Sequence, residues 1–482
     1  MAFISQASGY WFLIIFGICM ILVTYFFSKW KNYKGQQTKD SFLVANRKVG
    51  WFVGGASIAA SWIWAPALFV SVQMAYQKGI AGIFWFTVPN VVALLIFAFL
   101  APKIRDKLPA GYTLPQYIKH KLKSNRVHKV YLFPYFLYQL MAVTVQLFAG
   151  GGLVSLLTGI PLTIVMPILA IIALTYTLIS GLEASLVTDF VQLAMIFTIG
   201  AVILPLVWST AGGSAAIHAG LGGLAGIRNM FDPGVAFSFG IVTSIGLIAG
   251  AISDQQYWQR SFAIKKQKLE KAFLFGAVLF AIVPIALSTL GFLAANPALG
   301  ISLAAGVDVS MIGVQTVAQL LPGWALFLFV VMLLCGLSST LDSGLSAASS
   351  LWVTDVSKSK FGKGAVSSAR KAMVGIMVLG LSVALGALYI PGFGLKHLWW
   401  VFNTIAACVM VPTVLSLYWK KLDERGVFWG VLTAFVIGIP LFIYSNIINN
   451  ATWIVASTLF IVGVSTLFCL VLKKRENVKL VV

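Results

Sequence analysis

Apolar stretches about 20 residues long recur along the whole chain, separated by short polar or basic segments. A helix needs about 20 apolar residues to cross a bilayer's hydrocarbon core, so this pattern predicts an all-α integral membrane protein. Thirteen spans follow from it, at residues 10–30, 51–76, 83–101, 130–157, 162–180, 184–209, 234–257, 273–295, 321–356, 372–389, 398–419, 427–444 and 453–472. The first has its lysines after the apolar run rather than before it, which marks a retained span and not a cleaved leader.

Two spans break the pattern. Residues 54–69 read GGASIAASWIWAPALF, and Pro66 removes a backbone donor and clashes with the preceding turn. Residues 234–257 carry Gly240, Gly246 and Gly250 ahead of a polar end. One broken span runs inward to outward, the other outward to inward, five spans later. That is the pattern of an inverted five-helix repeat, in which broken helices bring free carbonyls and helix ends to the bilayer midplane. The predicted organisation is one transmembrane domain over 1–482: a leading helix at 10–30, a first repeat at 51–209, a second at 234–419 and two trailing helices at 427–472. The competing reading of the glycines is close helix packing alone.

A third span, MLLCGLSSTLDSGLSAASSLWVTD at 332–355, is rich in hydroxyls and carries one carboxylate in its middle, Asp342. On a helix Gly336, Ser339, Thr340 and Ser343 share a face. Such hydroxyls either bond back to their own helix or face a polar ligand.

Composition agrees with the membrane reading. Of 482 residues 60% are hydrophobic and 10% charged, against about 25% charged in soluble domains. The net charge of +21 concerns orientation rather than nucleic acid. Apart from Lys78, Arg228 and Lys396, all 34 Lys and Arg fall in 29–48, 103–129, 260–271, 356–371, 420–425 and 473–479, which alternating spans put on one side. Basic loops stay cytoplasmic, so the N-terminus is expected outside and the C-terminus inside, in an inner or plasma membrane. The four cysteines fall in apolar segments and read as buried thiols; the four histidines read as loop residues. No metal-ligand spacing and no nucleophile–base constellation stands out, so an enzyme is not expected.

Four stretches jointly resemble the sodium:solute symporter family: GGASIAASWI (54–63), ISGLEASLVTDFVQ (179–192), SDQQYWQR (253–260) and SSTLDSGLSAASSLWVTD (338–355). Residues 62–86 and DQQYWQ look most like the urea active transporter branch, whereas STLDSGLSAASS looks like the sugar- and sialate-type branches. Trp62 stands where the proline and sugar transporters have an acidic or amide residue. The resemblance implies a LeuT-type fold and uptake of a small solute coupled to co-transported Na+. It implies sodium ligands at the carbonyls of Ala60, Ile63 and Gly336 and the hydroxyls of Ser339 and Thr340. It places Asp189 on the ion's release path. A hard cation suits such neutral oxygens, and only an unwound helix releases main-chain ones. The plain alternative for Asp189 is an interfacial acid paired with a loop lysine.

The solute-binding candidates are Ser61, Trp62, Gln139, Gln146, Gln255, Tyr257, Trp258 and Asn403. Amides, a phenol and indoles suit a small, polar, uncharged solute. No basic residue is expected at the midplane to clamp a carboxylate, and Trp399 and Trp400 read as an interfacial belt. Urea or a related small amide is the first expectation. The alternatives are a proline-like amino acid, a sugar, a sialate or a monocarboxylate and, from another class, a solute channel or transporter-like sensor. Asp342 carries three open readings: pairing with a hydroxyl or amide, a second cation, or a proton. The partners expected are the solute, sodium and the lipid bilayer, without nucleic acid, and a functional monomer.

Overall fold

The computed structural model describes residues 3–30, 38–357 and 362–474. Lys31, Lys34, Lys358, Lys360 and the tail from Arg475 onward, all part of the predicted basic segments, lie outside the described residues. Among the described residues the fold is helical throughout, with one isolated bridge between Val49 and Ile264. Among the described residues twelve helices are long and apolar enough to cross a membrane.

The difference from thirteen lies at the first broken span. Its first half, Trp51–Trp62, is only 12 residues long. Its second half, from Pro66, runs on into the next predicted span as far as Lys107. Gly79 interrupts that run with φ 60 and ψ −145. A Cβ there would lie 2.5 Å from backbone atoms of Leu221, Gly222 and Ile227, so both the conformation and the space call for glycine. The 220–227 loop is held against this turn by Ile80 N–H on the Leu221 carbonyl (3.0 Å) and Leu224 N–H on the Tyr76 carbonyl (2.7 Å).

The basic end of the molecule carries two short helices, Lys39–Val44 and Leu114–Leu122. Arg47 fastens them to the second broken span through the carbonyls of Ala110, Gly111 and Phe262. Tyr112, in the same loop and outside the spans, keeps its phenolic proton up to about 12, first because it is desolvated and then because it donates to Asp40.

Several expectations change here. Arg260 falls in a segment that reads as a basic loop, but Gln255–Ala263 is a helix whose every residue is buried. His128 lies on the Asn125–Thr158 helix, buried and paired to Asp355 at 2.7 Å. Cys19 is exposed, while Cys335, Cys408 and Cys469 are buried. Trp399 and Trp400 are buried rather than interfacial, because the N-terminal end of their helix packs on the aromatic side chains Trp64, Phe86 and Phe239.

Candidate functional site

The first break begins where the Trp51–Trp62 ladder ends, with Ile63 N–H on the Ala59 carbonyl (2.8 Å). Ile63 then leaves the helix with ψ 65. The next donors bypass Ala60 and Ile63. Ala65 N–H goes to Gln146 Oε1 at 2.9 Å, and Pro66 has none to give. The hydroxyl-rich Gly323–Leu351 helix lies against this gap. Thr340 Oγ1 donates to the Ser61 carbonyl (3.1 Å). A Cβ on Gly336 would lie 3.1 Å from the Ile63 carbonyl oxygen, so the two backbones approach one another there. Ser339 Oγ donates to Asp189 Oδ1 at 2.6 Å.

Below the break lies a buried polar knot. Asp189 Oδ2 accepts from Arg260 Nη2 (2.8 Å) and from Ser57 Oγ (2.5 Å). Arg260 also donates to Ser57 Oγ (2.8 Å), Ser343 Oγ (2.7 Å) and the Gln256 carbonyl (3.2 Å). Ser61 Oγ donates to the Ser57 carbonyl (2.8 Å) and meets Ser343 Oγ at 3.1 Å. Both charged side chains are 0% exposed. Burying an ion costs several kcal/mol unless partners surround it, and here one ion pair and three hydroxyls do so from four helices. Asp342 belongs to the same region. It accepts from Ser185 (2.8 Å), Thr188 (3.3 Å) and Ser343 (3.3 Å).

The second break is built differently. Asp254 leaves the helix with ψ 121 and caps the next one, accepting Gln256 N–H at 2.8 Å. A carboxylate is among the best N-caps. Gln139 Nε2 donates to the same oxygen at 3.0 Å. Gln255 reaches the Tyr112 carbonyl (2.8 Å) and Ser350 (3.0 Å), and Gln259 reaches the Leu43 carbonyl (2.8 Å) and Ser346 (3.1 Å). Trp258 donates to the Ile252 carbonyl and packs on Phe97.

The eight solute candidates therefore divide. Gln255 and Trp258 are occupied by the scaffold, and Ser61 belongs to the polar knot. Gln139 and Gln146 cap the two breaks and keep one amide atom each unpartnered, Oε1 and Nε2 respectively. Trp62, Tyr257 and Asn403 join a continuous aromatic cluster. Trp62 stacks on Trp64 (5.1 Å) and meets Tyr257 edge-on (4.9 Å); Trp64 meets Phe402 (5.1 Å), and Phe402 meets Tyr138 (4.0 Å). A Cβ on Gly250 would touch Tyr138 Oη at 2.8 Å and Asn403 Oδ1 at 3.3 Å. Among the described residues the indole nitrogens of Trp62, Trp64 and Trp399, the hydroxyls of Tyr138 and Tyr257, and both amide atoms of Asn403 have no hydrogen-bond partner. Buried polar atoms are rarely left unpaired. These unpaired atoms are concentrated beside the two helix breaks.

The sequence profile of the Sodium:solute symporter family matches residues 42–434. The chain belongs to the sodium:solute symporter family. It is 24% identical over 479 residues to a urea-proton symporter of Oryza sativa subsp. japonica, covering 91% of this chain and 66% of that relative's length. It is 23% identical over 442 residues to a sodium/glucose cotransporter of Vibrio parahaemolyticus, covering 84% and 80%. Its fold matches that of a Na+-coupled sialic acid symporter solved in a substrate-bound outward-open state, with TM-score 0.76, 17% identity and coverage of 96% and 97%. The chain is thus a multi-pass membrane protein of LeuT-like transporter fold.

In this family member the two sets of polar atoms meet at residues 61–65. The sequence alone does not single out Ser57, Trp64, Tyr138, Asp254 or Arg260. Asp254 carried a signal, a carboxylate directly before a helix-forming run. Arg260 carried a misleading one, because four lysines follow closely and the group reads as one loop.

Proposed function

We propose that this protein is a symporter that imports a small, polar, uncharged solute together with Na+. The observation that carries the reading is the pairing of the first break with the hydroxyl-rich helix at Ile63, Gly336 and Thr340. The Na+ ligands would be the carbonyls of Ala60, Ile63 and Gly336 and the hydroxyls of Ser339 and Thr340. A hydroxyl that donates to a carboxylate or carbonyl keeps lone pairs for a cation, so the bonds of Ser339 and Thr340 suit that role. Asp189, bonded to Ser339 on one oxygen and Arg260 on the other, would draw the ion inward on release. Sodium would join the two helices and favour the outward-open state, and solute binding would permit closure; coupling requires each ligand to bind the two states differently.

The solute would sit among Trp62, Trp64, Tyr138, Gln139, Gln146, Tyr257 and Asn403. Indole and amide N–H groups face acceptors on the guest, while the tyrosines, Gln139 Oε1 and Asn403 Oδ1 face its donors. Urea or a small amide offers both, and a urea transporter is among the relatives. The broken segment counts as one crossing and residues 80–107 as the next, which makes thirteen crossings. The N-terminus lies outside, the C-terminus lies inside, and the membrane is an inner or plasma membrane. One chain suffices for transport.

The test is uptake into proteoliposomes with a panel of urea, small amides, proline, monocarboxylates and sugars. Thr340→Ala should raise the sodium half-saturation about tenfold, the effect of one lost hydrogen-bonding ligand, with little change in melting temperature. An unchanged half-saturation sinks the sodium site. The Oryza relative is named for protons, so uptake driven by a proton gradient without sodium would assign that ion instead, and downhill flux alone would mean a channel.

A further inference from the structure

A groove of about 700 Å³ runs along the outside of the bundle, between the Asn125–Thr158 helix, the Gly362–Ala387 helix and Phe435 of the trailing pair. Its walls are apolar over most of their length, with Phe133 and Leu379 more than half exposed. Its polarity is confined to one end, where Lys129 and Lys371 line it beside Trp352 and Val356. The Trp352 indole donates to Ser368 Oγ there at 3.1 Å, a tryptophan placement typical of the headgroup level. From Lys129 to Leu140, the last groove residue on its helix, eleven residues rise about 16 Å. That depth is about half of a hydrocarbon core roughly 30 Å thick, the depth of one leaflet.

We propose that this groove is a binding site for one anionic glycerophospholipid, its phosphate between Lys129 and Lys371 and one acyl chain along Phe133, Phe136, Leu140 and Leu379. The two ammonium groups choose the occupant. A detergent tail or the apolar face of a second copy would match the walls and leave both lysines without a counter-charge. A zwitterionic lipid brings its own cation to the same place. Basic pockets between membrane helices on the cytoplasmic side hold anionic headgroups for this reason. With the orientation proposed above, the lipid belongs to the inner leaflet; the choice of headgroup does not depend on that orientation. Gly375 lines the groove, and a Cβ there meets nothing within 4 Å. A larger side chain at that point enters the groove without disturbing the bundle.

The experiment is native mass spectrometry of the full chain released from nanodiscs of equal phosphatidylglycerol and phosphatidylcholine. The wild type should retain one phosphatidylglycerol in preference to phosphatidylcholine. Lys129→Gln combined with Lys371→Gln should lower that preference about 30-fold, the effect of two lysines near a charged headgroup. Gly375→Phe should release lipid of either kind while the helix content by circular dichroism stays the same. Equal retention of the two lipids by the wild type overturns the proposal. So does an unchanged preference in the double variant, a Gly375→Phe chain that keeps its lipid, or a lipid-free dimer.

Discussion

The two helix breaks face the same core and end their helices in opposite ways. At Ile63 the ladder stops without a cap of its own, and the distant Gln146 takes the single donor of Ala65. The Ser61 carbonyl accepts from Thr340, and the Ile63 carbonyl lies against Gly336 of the same neighbouring helix. At Asp254 the chain supplies its own cap, and Gln255, Gln259 and Arg260 then tie the following helix to four others. The first break leaves main-chain acceptors beside a hydroxyl-rich helix, the feature on which the proposed sodium site rests. The second is closed by a carboxylate, and its helix is tied to its neighbours as a clasp. An interrupted helix by itself therefore does not mark an ion site; what marks it is which groups the interruption leaves unused.

The largest test of this contrast is Arg260→Met, which leaves Asp189 as an uncompensated buried charge. It should lower stability in detergent by about 3–5 kcal/mol, and adding Asp189→Asn should restore most of it. If the double variant is as unstable as the single one, the pair is not what holds the clasp. Next comes Asn403→Leu, which removes two unpartnered polar atoms. Stability should hold or rise, since an unsatisfied buried amide costs about 1–3 kcal/mol, while the KM for solute rises severalfold; a drop in stability with unchanged KM would make Asn403 a scaffold residue. Asp254→Ala should cost about 1 kcal/mol, the value of an N-cap, and Asp254→Asn far less. Equal loss in both would mean that charge and not capping matters at the second break. The smallest effect concerns the loop that receives Gln255. Tyr112 titrates near 12 in the folded protein against 10.0 for a free phenol. A raised folded value adds stability that is complete below pH 10 and is lost as pH rises through 12. Tyr112→Phe should abolish that alkaline loss in thermal melts between pH 9 and 11, and an identical pH profile would count against the Asp40 contact.

Much of this was legible in the sequence because lipid is a demanding solvent. Span positions follow from apolar run length, and the first break showed as glycine and proline inside an otherwise continuous run; the second falls at Asp254, beyond Gly240, Gly246 and Gly250, the last two of which lie inside the unbroken Ile241–Ser253 helix. The facing turn of Gly336, Ser339 and Thr340 showed as hydroxyls at helical spacing. The reading failed where a residue's environment is supplied by distant segments. Arg260 looked like one more charge of a cytoplasmic loop, yet its partners come from residues 57, 189 and 343. Trp399 looked interfacial from its place at a helix end, yet Trp64 and Phe86 cover it. Gln255 and Trp258 looked like binding groups because they are polar and near a break, and they are used up by the scaffold. Asp342, left open by the sequence, is surrounded by three hydroxyls.

The sequence by itself determined that the chain lives in a membrane, which segments are apolar enough to be its helices, and where the first of the two broken ones must break, because those depend on local composition and backbone chemistry. Only the tertiary structure decided which polar groups are spent and which are left over. Satisfaction of a buried group depends on atoms more than a hundred residues away, as at Asp189 with Ser57 and Ser339, and no local pattern records that pairing.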